Sequence, residues 1–119
     1  MCIFCEISDF VLENELAGAF YDKFPVSEGH LLIIPKNHRS NYFDLSQVEK
    51  QAVEELIQAG KQLLEKNYQP VGHNIGTNCG VYAGQSIMHC HIHLIPRYVG
   101  DLENPKGGVR GVIPTKQNY

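Results

Sequence analysis

Apolar and polar residues alternate in short runs toward both ends of the chain and follow a helical period only in the middle. Residues 19–24 (Ala-Phe-Tyr-Asp-Lys-Phe) and 30–35 (His-Leu-Leu-Ile-Ile-Pro) read as strands, joined by the turn-forming stretch Pro25-Val26-Ser27-Glu28-Gly29. One long helix starts at Ser46, which forms a capping box with Glu49 three residues on. Val48, Ala52, Val53, Leu56, Ile57, Gly60, Leu63 and Leu64 then keep the helical period to about Lys66. Residues 71–77 read as a strand and 78–86 as a loop of small residues. A last strand covers about 88–96 and stops at Pro96. The tail, 104–119, is rich in Gly and Pro, with a short apolar stretch from Val109 to Ile113. Strands, one helix, then strands predict an α+β fold, an antiparallel sheet of about five strands with one long helix, and not an alternating βαβ series.

A chain of 119 residues fits a single domain, 1–119. The formal charge of −3 gives no basis for nonspecific binding to nucleic acid or anionic lipid. No apolar run approaches the ~18–20 residues of a membrane span. The start, Met1-Cys2-Ile3-Phe4-Cys5-Glu6, lacks the features of a signal peptide, so a cytoplasmic setting is expected. In that setting the four cysteines read as thiols or metal ligands before disulfides.

The chemistry concentrates in the last strand. His89-Cys90-His91-Ile92-His93 holds three of the six histidines of the chain. Alternate strand residues share a face at ~6–7 Å spacing, so the imidazoles form one row while Cys90, Ile92 and Leu94 face a core. Two chemistries fit such a row. The histidines could hold a catalytic zinc with an open position. Alternatively, one imidazole is a covalent nucleophile that its neighbours orient. The loop before the row, Gly76-Thr77-Asn78-Cys79-Gly80 and Ala83-Gly84-Gln85-Ser86, has little bulk. It reads either as an ordinary connection or as a cradle whose N–H groups approach a phosphate. It lacks the Gly-Lys-Ser/Thr of a P-loop.

These segments, in order, resemble the histidine triad family of nucleotide hydrolases and transferases. The resemblance rests on residues 89–95, on Cys-Ile-Phe-Cys at 2–5, on Phe20-Tyr21-Asp22 and on Gly29-His30-Leu31-Leu32-Ile33-Ile34-Pro35. Ala83-Gly84-Gln85-Ser86 and the ending Gly107-Gly108-Val109-Arg110 with Val112-Ile113-Pro114 extend it toward a bacterial branch of dinucleoside polyphosphate hydrolases. The resemblance implies that His91 attacks the α-phosphorus of a nucleotide ester, anhydride or phosphoramidate. Water then releases the monophosphate from a nucleotidyl-histidine. It further implies that His93 contacts the phosphate, that Ser86 and Gln85 touch phosphate and leaving group, and that Asn78 lies on the leaving-group side. Asp22 would accept from the ribose hydroxyls, and Ile3, Phe4, Ile7 and Phe20 would form an apolar slot for a base, adenine before guanine. His30 would lie behind the triad as an orienting partner. The implied assembly is a homodimer in which the long helix and a neighbouring strand meet their copies. The tail would then lie near the partner's site, where Arg110 approaches a phosphate. The competing function is a regulatory module that binds nucleotide with negligible turnover.

Cys2 and Cys5 have the Cys-x-x-Cys spacing that lets two thiolates grip one metal, and a closed tetrahedral site needs two more ligands. His38 and His89 are the candidates. Bacterial triad proteins with this arrangement hold a structural zinc, so the resemblance assigns zinc to Cys2, Cys5, His38 and His89. A closed site there also argues against a catalytic zinc on all three triad histidines. Cys79 and Cys90 read as a loop thiol and a small core residue, and His73 as a surface residue.

Overall fold

The computed structural model describes residues 2–119 and contains five strands and one long helix. The strands are β1 (Leu12–Glu13), β2 (Ala17–Tyr21), β3 (Leu31–Pro35), β4 (Gly72–Gly76) and β5 (Ile92–Arg97), and the helix is α1 (Gln47–Asn67). All pair antiparallel in the order β1-β2-β3-β5-β4, which leaves β1 and β4 at the edges. The α+β expectation holds. Both halves of the Ser46–Glu49 capping box are made, and α1 runs one residue past the expected Lys66.

Period-two alternation splits the apolar side chains between two layers. Ala17, Ala19, Leu31, Ile33, Cys90, Ile92 and Leu94 pack under α1 against Ala52, Val53, Leu56 and Leu64. On the far side of the sheet, Phe4, Leu32 and Ile34 gather Ile7, Phe10, Phe20 and Ile87. At Gly60 the helix comes so near the sheet that a Cβ would stand 3.0 Å from Leu94 and 3.2 Å from Leu31. Among the described residues no helix is long and apolar enough to cross a membrane.

The expected strand over 88–96 is shorter than the alternation suggests. β5 begins at Ile92, because the ladder with β3 ends at the Ile33–Ile92 pair. Upstream, the backbone is held by irregular partners: the Cys90 N–H donates to the Arg39 carbonyl at 2.7 Å, and the Thr77 hydroxyl donates to the His91 carbonyl at 2.8 Å. The strand expected over 19–24 lies at 17–21, because Asp22 already turns the chain. The two-residue β1 has no counterpart in the sequence reading.

His73, expected at the surface, is half-buried, and its Nε2 is enclosed without a hydrogen-bond partner among the described residues. The apolar stretch from Val109 to Ile113 lies in one short 3-10 turn, Gly108–Val112, and the extended Ile113 that follows it. Arg110 packs within its own tail. It lies over the Tyr119 ring at 4.8 Å and donates to the carbonyls of Lys116 and Gln117, which ties the tail to itself.

Candidate functional site

The far-side layer carries a row of imidazoles in two groups, His38–His89 and His91–His93–His30. Ring centroids lie 5.1 Å apart for His38–His89, 5.3 Å for His91–His93 and 5.1 Å for His93–His30. Phe4 bridges the gap, edge-on to His91 at 5.1 Å and to His89 at 6.1 Å. Cys90, Ile92 and Leu94 point to the helix layer, as alternation requires.

Hydrogen-bond partners assign the tautomers along this row. His91 Nδ1 is 2.8 Å from the His89 carbonyl, so Nδ1 carries the hydrogen and Nε2 keeps its lone pair. The Val26 N–H donates to His30 Nδ1 at 3.0 Å, which puts the His30 hydrogen on Nε2. That hydrogen is donated to His93 Nδ1 at 2.9 Å, with Asp22 Oδ2 at 3.5 Å as a second acceptor. The remaining His93 hydrogen is therefore on Nε2. The row thus presents one unprotonated nitrogen, on His91, beside one N–H donor, on His93. The β2–β3 turn makes this possible, since Asp22 N–H and His30 N–H are both spent on backbone carbonyls there.

Burial holds both relay histidines neutral. His93 is pushed down to about 4, by burial first and then by the imidazoles of His30 and His91, with Asp22 opposing. His30 is also lowered by burial, again with Asp22 pulling the other way. Both are lowered relative to the unfolded chain, and for His93 the unfolded chain binds more protons between roughly pH 6.5 and 4. Stability should therefore be full above pH 7 and fall on acidification through that window, with a slope of up to ~1.4 kcal/mol per pH unit from His93 and a further contribution of the same sign from His30. Urea titrations at pH 7.5, 6 and 5 check this, and His93→Gln should flatten the slope. Equal stability at all three values would refute the buried-neutral assignment.

The sequence-expected residues fall into distinct positions. Asp22, Asn78, His30 and His93 line one cleft of about 700 Å³, which the tail residues Gly108, Val109, Gly111, Val112 and Gln117 border from the same chain. Asp22 Oδ1 accepts from the Phe24 N–H at 2.9 Å, and Oδ2 faces His30 Nε2 at 3.5 Å. Ser86 is exposed at the loop end, and neither it nor Asn78 makes a side-chain hydrogen bond among the described residues. Ile3 is exposed, Ile7 and Phe20 are half-buried, and Phe4 is only 7% exposed.

Gln85, expected on the phosphate, is turned inward instead. Its amide donates to the carbonyls of Ser40 at 2.6 Å and Ile87 at 3.1 Å, and its oxygen accepts from the Gly80 N–H at 2.9 Å. It clasps the loop and has no polar atom to spare. Three positions to which the sequence reading gave no site role complete the support: Thr77 and Arg39, through the backbone bonds above, and Glu49. Glu49 is 2% exposed and accepts from Arg39 Nε at 3.0 Å and from Asn37 at 3.3 Å. Burial pushes its carboxyl up, but the Ser46, Arg39 and Asn37 hydrogen bonds together hold it below the usual range. The helical period could have flagged it, since position 49 shares a face with Ala52, Val53 and Leu56.

Cys2, Cys5, His38 and His89 converge so that their donor atoms all lie within 4.8 Å of one another. The sulfur–nitrogen separations are 3.3 Å (Cys2–His89), 3.2 Å (Cys5–His38) and 3.5 Å (Cys5–His89). Ligands of a tetrahedral zinc at ~2.3 Å (S) and ~2.0–2.1 Å (N) stand ~3.5 Å apart, so the group has the size of a metal site. The tautomer fits as well. His89 Nε2 is 2.9 Å from the Pro35 carbonyl and donates to it, which leaves Nδ1 bare toward the thiols.

Asp22, His30 and His93 also bring potential ligand atoms within that range. There the tautomer does not fit, because His30 Nε2 carries the hydrogen it donates to His93. That group is a relay.

Comparison with known proteins places the chain among relatives. The HIT domain family matches residues 6–100. The chain is 43% identical over 103 residues to an uncharacterized 16.1 kDa HIT-like protein of Mycoplasma pneumoniae, covering 82% of this chain and 72% of that one. It is 33% identical over 95 residues to the asymmetrical bis(5'-nucleosyl)-tetraphosphatase of Schizosaccharomyces pombe, covering 80% of this chain and 52% of that one. Among solved structures, a HIT family protein from Bacillus anthracis superposes with TM-score 0.78 at 35% identity, over 84% of this chain and 75% of that one. A zinc-bound histidine triad family protein from Mycobacterium smegmatis superposes with TM-score 0.77 at 28% identity, over 87% and 79%.

Proposed function

The chain belongs to the HIT domain family, and on that premise we propose that it is a nucleotide hydrolase working through a nucleotidyl-histidine at His91. The observation that carries the reading is the tautomer pattern, a bare His91 Nε2 beside a His93 Nε2–H. In the first step the His91 lone pair forms a bond to the α-phosphorus as the bond to the leaving group breaks. The His93 N–H donates to a phosphoryl oxygen, and the His30–Asp22 pair holds that ring in register. Water then attacks the same phosphorus, the P–N bond breaks, and nucleoside monophosphate departs with the electron pair returned to His91. Ser86 and Asn78 supply polar contacts at the rim, and Gln85 acts by holding their loop. A polyphosphatase among the relatives supports a nucleotide conjugate as substrate, either a dinucleoside polyphosphate or a nucleoside phosphoramidate. Ile3, Ile7 and Phe20 around the Phe4 floor form an apolar slot suited to a base, which we take as adenine.

Hydrolysis in ¹⁸O-water tests the reading. The expected result is AMP from an adenosine phosphoramidate or from diadenosine tetraphosphate, with the label in its phosphate. No AMP from either would favour the alternative, a nucleotide-binding module without turnover.

We assign Asp22 to the ribose hydroxyls, a role that its place in the cleft supports. Asp22→Ala should then reduce kcat/KM for the ribonucleotide roughly tenfold or more, the loss of a charged hydrogen bond. It should cost the 2′,3′-dideoxy analogue distinctly less, the remaining loss being that of the His30–Asp22 contact behind His93. Equal losses on both substrates would remove the ribose role.

The four-donor group fits zinc in size, tautomer and thiolate content, and the zinc-bound relative supports that metal. Bound there, zinc would supply structural cross-linking only. We also propose that β4 and α1 meet their copies in a homodimer. A groove of about 600 Å³ runs between them, Val48 and Ile75 on its walls are exposed, and β4 is an edge strand.

A further inference from the structure

Residues 2–10 belong to neither strand nor helix, yet they place one side chain against the nucleophile. Phe4 stands between Cys2 and Cys5 in the chain. Its ring meets His91 at 5.1 Å and 81°, Phe20 at 5.4 Å and His89 at 6.1 Å. The backbone of this segment does little to hold it there. Among the described residues its own turn is closed by Cys5 N–H to Cys2 Sγ at 3.3 Å and by a weak Ile7 N–H to Phe4 carbonyl contact at 3.4 Å. Besides the burial of Phe4 against Leu32 and Ile34, the side-chain contacts that fasten the turn to the rest of the fold are those of the two thiols on His89 and His38. His91 is oriented by the carbonyl of that same His89. Thiol pair, Phe4 and nucleophile are therefore one mechanical unit.

We propose that the Cys2–Cys5 turn is a thiol-controlled latch: with the thiols on the metal it seats Phe4 against His91, and oxidation to a disulfide releases both. Phe4 is thus a positioning residue for His91, beyond any contact with a base. This deepens the reading of His91 as nucleophile and rests on it. The oxidant is a peroxide, which reaches the exposed Cys5. The two thiolates lose two electrons as the S–S bond forms. The O–O bond breaks, and two solvent protons complete two waters. Stripped of two of four donors, the site releases its metal, and His89 loses the partners of its Nδ1.

The test starts from the full chain loaded with zinc and titrates it with hydrogen peroxide. A chromogenic chelator measures zinc, intact mass measures the disulfide, and NMR follows the His91 ring protons, which lie in the ring current of Phe4. The expected result is one zinc released per Cys2–Cys5 disulfide, with His91 shifts moving toward those of a free histidine. Single-turnover nucleotidylation should fall roughly tenfold or more and recover with reductant plus zinc.

In the reduced protein, Phe4→Leu should keep the zinc and lower kcat by a similar factor at nearly unchanged KM. Phe4→Tyr should restore most of the rate. A disulfide that leaves the His91 shifts in place would overturn the latch, and so would a Phe4→Leu variant that changes KM alone. If the reduced, zinc-loaded protein forms no adduct at all, the nucleophile reading fails. The shifts then decide the latch separately.

Discussion

His91→Ala should bind nucleoside monophosphate nearly as the parent does and turn over no substrate. Removing a covalent nucleophile leaves only what positioning and electrostatics supply, so a loss of at least ~10³-fold in kcat is expected. The affinity should move little. His91 is 8% exposed, its Nδ1 is spent on the His89 carbonyl, and the proposed nucleotide contacts lie on Asp22, His93 and the Ile3–Phe20 slot. Steady-state rates with calorimetry of AMP binding separate the two effects. A variant that hydrolyses at the parental rate would remove His91 from the mechanism. One that no longer binds AMP would make it a binding residue.

The second large effect concerns the metal. The protein should carry about one zinc per chain, and Cys5→Ser or exhaustive chelation should lower the melting temperature by ~10 °C or more. Metal affinity of a structural site is folding energy, and each 1 kcal/mol moves Tm by ~3–6 °C in a chain of this size. The loss should appear in stability and, through the seating of Phe4 against His91, in the rate, although no proposed step uses the metal itself. Thermal scans and metal analysis on the same samples check this. An unchanged Tm in the absence of metal would reduce the four-donor group to a chance meeting of thiols and imidazoles.

Much of this site is legible in the sequence because two of its signals are local. Alternation alone puts His89, His91 and His93 on one face and Cys90, Ile92 and Leu94 on the other, and that division survives although β5 proper starts only at Ile92. The capping box at Ser46–Glu49 is likewise a short-range rule. Cys2, Cys5, His38 and His89 come together across 87 residues, which the Cys-x-x-Cys spacing announces only by lacking two ligands.

What the sequence hides depends on which backbone atom lies opposite which side chain. The His91 tautomer is set by a carbonyl two residues back, and that of His30 by the Val26 N–H in a turn with no motif of its own. Gln85 looks like a substrate contact by position and is a loop clasp by orientation. A glutamine offers the same atoms to either role, and only packing decides. The stacking of Arg110 over the Tyr119 ring is likewise a packing outcome that no motif announces.

The most direct test of the nucleotidyl-histidine is a rapid quench of the protein with adenosine phosphoramidate, followed by intact mass and peptide mapping. The expected result is a burst of protein heavier by one AMP, mapped to His91 and absent from His91→Ala. Steady release of AMP with no adduct at any early time, or an adduct on another residue, would contradict the assignment.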